Sequence, residues 1–177
     1  MQPCNALKAT TVRESFATAD EINNRLFFRL FQTANIYQTQ AVRELNISAV
    51  QGAVLGALSR EPQAGMPFSS LYTYLAVSRQ NLDAVLKGLE RNRYVERTEA
   101  KGDRRTKIVR LTPIGVKAWN ELLGRTFEFF RQGTNGLSRA ELTACAETLA
   151  KIGRALKSVD LHERDSPERK SGSRKRR

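Results

Sequence analysis

A mainly α-helical protein with one small β-wing is what this sequence predicts, and three observations predict it. Apolar residues recur along most of the 177-residue chain at helical spacing, the i, i+3, i+4, i+7 pattern of helices with one buried face. Two short helical segments, the second starting at Ser78, lie three or four residues apart, which is helix-turn-helix spacing. Directly after them, "RTEAKGDRRTKIVRLTPIG" at 97–115 places apolar residues on either side of a charged turn, the pattern of a hairpin.

Residues 1–17 carry no clear period and are expected to form an irregular arm. Thr18 with Glu21 makes a capping-box pair that can satisfy backbone donors at a helix start. The helix it opens runs to about Val42, and Ile22, Leu26, Phe27, Phe28, Leu30, Phe31 and Ala34 leave little of its circumference polar. Such a helix is buried on several sides, which in a short chain favours a second subunit as part of its cover. Ser48 with Gln51 repeats the box and starts a helix through Val54, Leu55 and Leu58 that ends before Pro62. Leu71 and Leu75 mark the next helix. Its successor starts at Ser78 with the buried stripe Leu82, Val85, Leu86 and Leu89. The opposite face of that helix begins Arg79, Gln80, Asn81, side chains that hydrogen-bond base edges in a major groove. Arg79, Asp83 and Lys87 at i, i+4, i+8 would equally make a solvated charge ladder.

Tyr94 and Val95 begin one strand and Ile108, Val109 and Leu111 belong to another, with "EAKGDRR" between them as the turn. A two-stranded hairpin is marginal alone in water, so this one must lean on the helices and project its tip. Lys101, Arg104 and Arg105 sit there as a groove probe would, since a narrow minor groove concentrates negative potential and attracts inserted Arg. An ordinary solvated turn explains basic residues at a tip but not their position directly after a Ser78-led helix. Helix-turn-helix followed by a basic hairpin is a winged helix. Thr112 with Pro113 then makes an N-cap and first-turn pair, and the next helix carries Ile114, Ala118, Leu122, Phe127 and Phe130 up to Gly133 and Gly136. Ser138 with Glu141 caps a last helix in which Leu142, Cys145, Leu149, Ile152, Leu156 and Val159 alternate spacings of three and four. That is a coiled-coil-like seam, usable within one subunit or between two; Cys145 in it is expected to be a small core residue.

The stretches "LNISAVQGAVLGAL", "LAVSRQNLDAVLKGLERNRYVER" and "GDRRTKIVRLTPIG" carry a further signal. From about Asp20 to Val159 the chain resembles the MarR family of bacterial transcription regulators, dimeric winged-helix proteins that often respond to small phenolic or aromatic compounds. Asp103-Arg104-Arg105 matches the family's wing motif Asp-x-Arg, and Leu111-Thr112-x-x-Gly115 matches the motif that ends the wing and starts the next helix. The resemblance implies that Asp103 fixes Arg105 by a charge-assisted bond while the arginines approach DNA. Ala76 stands where the family commonly has Gly, and Asp83 and Ala84 occupy places often held by Ser or Thr and by Arg. The implied organisation is an arm at 1–17, a winged-helix domain at 18–161 and a disordered basic tail at 162–177. Within the domain, a DNA-binding lobe at about 46–112 lies between N- and C-terminal dimerisation helices at 18–45 and 113–161.

Charge narrows the function classes. Thirty Lys and Arg against eighteen Asp and Glu give a net charge of +12, which predicts an acidic partner. The apolar runs are short and no signal peptide is legible, so a cytoplasmic protein that engages no membrane is expected. Cys4 and Cys145 are far apart and lack ligand-spaced neighbours, so neither a disulfide framework nor a metal site is suggested. With His162 the single histidine and no catalytic motif or phosphate loop in view, no enzyme and no cofactor are expected.

The expected function is sequence-specific binding of double-stranded DNA at a pseudo-palindromic operator by a homodimer. The DNA contacts would come from Ser78, Arg79, Gln80, Asn81 and Lys87 on the reader helix and from Lys101, Asp103, Arg104 and Arg105 on the wing. The protein is expected to act as a repressor released by a small aromatic carboxylate or its thioester. Arg25, Arg29 and Tyr37 of the first helix are the candidate ligand contacts, because a guanidinium beside an apolar face can anchor a carboxylate. A salt bridge from these arginines to Glu44 or Glu121 is the plainer alternative. Two other functions remain open: a peroxide or thiol sensor of the same fold working through Cys4, and a nonspecific nucleic-acid-binding architectural protein.

Overall fold

The computed structural model describes residues 6–100 and 102–160, with side chains from Thr18 onward apart from that of Arg104. Its elements in chain order are α1 (Ala6–Leu45), α2 (Ala49–Leu58), β1 (Met66–Pro67), α3 (Phe68–Leu75), α4 (Arg79–Arg91), β2 (Val95–Ala100), β3 (Asp103–Leu111), α5 (Pro113–Gly133) and α6 (Arg139–Leu156). Lys101, Cys4 and the basic tail from 162 lie outside the described residues. The mainly helical winged-helix architecture is the one the sequence predicts.

Helix α1 departs from expectation at its start. It is one helix of 40 residues, about 60 Å long, and Thr18 lies inside it. Residues 6–17, expected as an irregular arm, are therefore helical. Neither Gly nor Pro interrupts the chain between Ala6 and Leu45, so the Thr18 box, a purely local preference, has no helix start to cap. Between Ile22 and Val42 most of the large apolar residues of α1 stand in solvent in this single chain, with Ile22 at 61% and Phe31 at 65% exposure.

The winged-helix core forms where the stripes of α2, α3 and α4 meet the sheet. Val54, Leu55, Leu58, Leu71, Leu82, Leu86, Leu89 and Val109 are fully buried there, and truncating one such Leu to Ala costs about 2–5 kcal/mol. Ser48 caps α2 with both hydrogen bonds of the expected box. The sheet is antiparallel in the order β1-β3-β2, with Val95 opposite Leu111, Thr98 opposite Ile108 and Met66 opposite Val109. The two-residue β1, which includes Pro67, is too short to show alternation in sequence, so only two of the three strands were legible. The turn is also tighter than "EAKGDRR", because pairing runs from Asp103 onward and Gly102 takes φ +83°.

The wing returns to the body through Thr112 and Gly115. The Thr112 hydroxyl donates to the Arg93 carbonyl at 2.5 Å and accepts from the Gly115 N–H at 3.0 Å. A Cβ at Gly115 would sit 1.9 Å from the Tyr94 carbonyl oxygen, so the Thr-x-x-Gly spacing is a packing requirement. The chain divides into one compact unit up to Phe130 and a second from Arg131. In the second, Ser138 and Glu141 form the expected capping box, and Leu149, Leu156 and Val159 are exposed. Cys145 is exposed too, so it is no core residue in this single chain; a narrow seam buries little until another helix faces it.

Candidate nucleic-acid interface

Helices α3 and α4 are joined by Ala76, Val77 and Ser78. The turn reverses the chain because Ala76 adopts the left-handed conformation, φ 53° and ψ 38°, and donates its N–H back to α3. The Ser78 hydroxyl then accepts the Asn81 N–H at 3.2 Å, setting the start of α4. Leu82, Leu86 and Leu89 face the core. By helical periodicity the opposite stripe is Gln80, Asp83, Ala84 and Lys87, and these four line a cleft of about 740 Å³ together with Arg79, Phe68, Arg97 and Lys107. The guanidinium of Arg79 lies 6.0 Å from the Phe68 ring centroid, at cation–π range.

Of the predicted reader residues, the cleft therefore gathers Arg79, Gln80 and Lys87. Ser78 serves as the helix cap. Asn81 is exposed but off the cleft stripe, its backbone engaged by that cap. Asp83, Arg97 and Lys107 belong to the cleft without having been singled out as contacts. Counting three, four and seven residues from Gln80 would have found Asp83, but the strand residues come to the helix only through the fold. Arg97 reaches across from β2 and joins two carboxylates of α4, Asp83 at 2.6 Å and Glu90 through two bonds of 2.8 Å. Lys87 holds the other oxygen of Asp83 at 2.9 Å. The bond from Arg97, followed by that from Lys87, holds the Asp83 carboxyl below the usual aspartate range. Arg97 is raised in turn, chiefly by its bond to Glu90.

On the wing, Asp103 accepts the Thr106 hydroxyl at 2.7 Å and the backbone N–H of Arg105 at 2.9 Å. Those bonds hold its carboxyl below the ordinary value, the one from the Thr106 side chain contributing most. The expected link between Asp103 and Arg105 thus runs through the Arg105 main chain. Its guanidinium stays exposed at the tip, and the side chain of Arg104 falls outside the described atoms.

A second concavity, about 330 Å³, opens between α1, α2 and α5, within the size range of small-molecule pockets. Tyr37, Ala41 and Leu45 line it from α1, Gly52, Ala53 and Gly56 from α2, and Trp119, Leu122, Thr126, Phe127 and Phe130 from α5. Its described lining contains no Asp, Glu, Lys, Arg or His. Burial raises the phenol of Tyr37, which lies near the rings of Phe129 and Phe130. Tyr37 is thus where a ligand contact was expected, but Arg25 and Arg29 are outside the lining. Arg29 is exposed and bonds Gln32 at 3.1 Å. Glu44 pairs with Arg43 and Glu121 with Lys117, so the alternative salt bridges do not form either. Among the described residues there is no cluster of metal-ligating side chains, and no helix is long and apolar enough to cross a membrane.

Comparison with known proteins agrees with this geometry. The model of the MarR family matches residues 45–106. A transcriptional activatory protein of Rhodopseudomonas palustris, BadR, is 43% identical over 106 residues, covering 58% of this chain and 61% of that relative's length. The chain thus spans less than two thirds of that relative. A probable transcriptional regulator from Pseudomonas aeruginosa superimposes with a TM-score of 0.67 at 22% identity, covering 74% of this chain and 98% of the other. BpsR of Bordetella bronchiseptica, whose DNA binding is described as regulated by 6-hydroxynicotinic acid, gives 0.62 at 23% identity over 73% and 97% of the two chains.

Proposed function

We propose that the chain, which is similar to the MarR family over its winged helix, is a sequence-specific, DNA-binding transcription regulator acting as a homodimer on a pseudo-palindromic operator. The observation that carries this reading is the cleft at α4, where a capped helix presents a polar stripe opposite its buried leucines, beside a wing with an exposed arginine. That is the form of a helix that enters a major groove with a wing beside it. A net charge of +12 suits a polyanionic partner. The exposed Ile22 and Phe31 on α1 and the seam on α6 supply apolar faces for a second copy.

We further propose that a small aromatic carboxylate, or its thioester, loosens the grip on the operator by entering the cavity between α1, α2 and α5. The rings of Trp119, Phe127 and Phe130 and the phenol of Tyr37 suit an aromatic body, and the regulation of BpsR by an aromatic acid is a parallel for it. In this arrangement the ring enters and the polar end stays towards solvent, since the described lining has no cation to hold it. The relative from Rhodopseudomonas palustris is named an activator, so loss of the operator would silence or release transcription according to where the operator lies.

The test is fluorescence anisotropy on a duplex selected from a random pool. Binding must survive an excess of random competitor DNA, which a merely architectural protein would not achieve. Uniform binding to every duplex would sink the reading.

A further inference from the structure

The stripe of α4 that lines the cleft carries a carboxylate, Asp83, midway between Gln80 and Lys87. On a surface that meets phosphates a bare carboxylate is repelled. This one is not bare, because a cation holds each oxygen: Arg97 on Oδ1 at 2.6 Å and Lys87 on Oδ2 at 2.9 Å. Arg97 is itself anchored by two bonds to Glu90, about two turns further along the same helix. The pairing offsets the negative charge and holds the side chain in one orientation. It does not exhaust the acceptor capacity, since an ionised carboxylate has about four lone-pair sites and Asp83 uses one on each oxygen in these contacts. Ala84 beside it is only a methyl group, leaving room for a base edge to approach.

An acceptor without a donor selects among base pairs by elimination. In the major groove guanine shows two acceptors and thymine shows an acceptor and a methyl group, so both repel or ignore a carboxylate. Adenine offers an amino group next to the N7 acceptor, which would face the second oxygen. Cytosine offers its N4 amino group with no acceptor on the same base beside it. We infer that Asp83 is a specificity-determining residue that reads a cytosine amino group in each half-site, with Arg97 and Lys87 as positioning residues. This rests on the DNA-binding reading above and adds to it the base that one side chain selects.

The experiment is selection from randomised duplexes followed by sequencing, run in parallel on the full chain and on Asp83→Asn, Asp83→Ala and Gln80→Ala. Wild type should enrich cytosine at one position per half-site. Asp83→Asn should lose that preference by roughly tenfold and move it towards adenine, because an amide can pair with both N6 and N7. Asp83→Ala should flatten the same position without moving it to adenine. Neither change should weaken binding to random duplex, since each removes a negative charge from a surface facing phosphates. Gln80→Ala should alter a different position and leave the cytosine in place. If both Asp83 variants enrich the wild-type motif unchanged, or if affinity falls evenly for all sequences, Asp83 is only a strut for Arg97 and the inference is overturned. Wild type that binds but enriches no motif would overturn the sequence-specific reading and this inference together.

Discussion

Gly52 offers the most direct way to separate the cavity from the proposed DNA-binding surface. It lies within α2 and lines the cavity, and a Cβ built on it meets nothing within 4 Å. Gly in a helix interior is about 0.8–1.0 kcal/mol less favourable than Ala, so Gly52→Ala should stabilise the fold by about that amount. For a chain of this size the gain raises Tm by roughly 2–4 °C. Gly52→Leu gains nearly as much from propensity and fills part of a cavity of about 330 Å³ with an apolar side chain facing Trp119 and Leu122. It should therefore be folded and at least as heat-resistant as wild type, while any occupant loses room. Gly52 is not among the residues that line the α4 cleft, so affinity for a selected operator should change less than twofold. The assay pairs thermal melting with anisotropy on that operator, titrated with benzoates, hydroxybenzoates, cinnamates and their thioesters at millimolar concentration. Wild type should release DNA with at least one of these and Gly52→Leu should need at least about tenfold more, a difference of 1.4 kcal/mol. An undiminished response in a folded Gly52→Leu protein would refute the cavity as the effector site, and a fall in Tm would refute the open space at Gly52.

Ala76→Gly should stabilise the protein by about 1 kcal/mol, because Ala76 holds φ 53° where a Cβ is unfavourable; chemical denaturation measures it. Asp103 has its carboxyl lowered in the folded wing, so its contribution is complete above the ordinary aspartate range and is lost as pH falls through the lowered value. Protection of the Arg105 amide, taken relative to its intrinsic exchange rate at the same pH, should therefore fall in acid, and Asp103→Ala should show low protection there at neutral pH as well. Leu149→Asp together with Leu156→Asp should convert a dimer to monomer or abolish folding, since paired apolar faces would bury unpaired charge; sedimentation distinguishes the outcomes, and an unchanged dimer would remove α6 from the interface.

Much of the fold is legible because its signals are local. The Ser48 and Ser138 boxes, the leucine stripe of α4 and the Thr112 cap each depend on residues within one or two turns, and the structure realises all four. The start of α1 departs from expectation for the same reason: a box pattern at Thr18 says how a helix could begin, whereas the residues before it decide whether it does. Strand β1 escaped notice because its partner Val109 lies 43 positions from Met66, and two residues carry no period. The site divides along the same line. Arg79, Gln80 and Lys87 could be read from one helix, but Arg97 reaches Asp83 only after β2 has packed beside α4. Arg25 and Arg29 were attractive as isolated cations near apolar residues; which way a side chain on a long helix faces depends on what packs against it.

The order β1-β3-β2 has a consequence for the protein's behaviour at high concentration. Hairpins with open edges recruit other extended chains and seed fibrils. Here β3, the longest strand, is paired along one side by β2 and at its base, Ile108 and Val109, by β1 on the other. Pro67 removes a backbone donor from β1, so the strand beyond it has little to extend. The long edge strand is β2, and Glu96, Arg97 and Glu99 along it are engaged with Arg110, Asp83 and Lys107. Charged edges of this kind resist stacking of like copies. The wing that we propose lies against a polymer of nucleotides is thereby kept from becoming a template for polymers of itself.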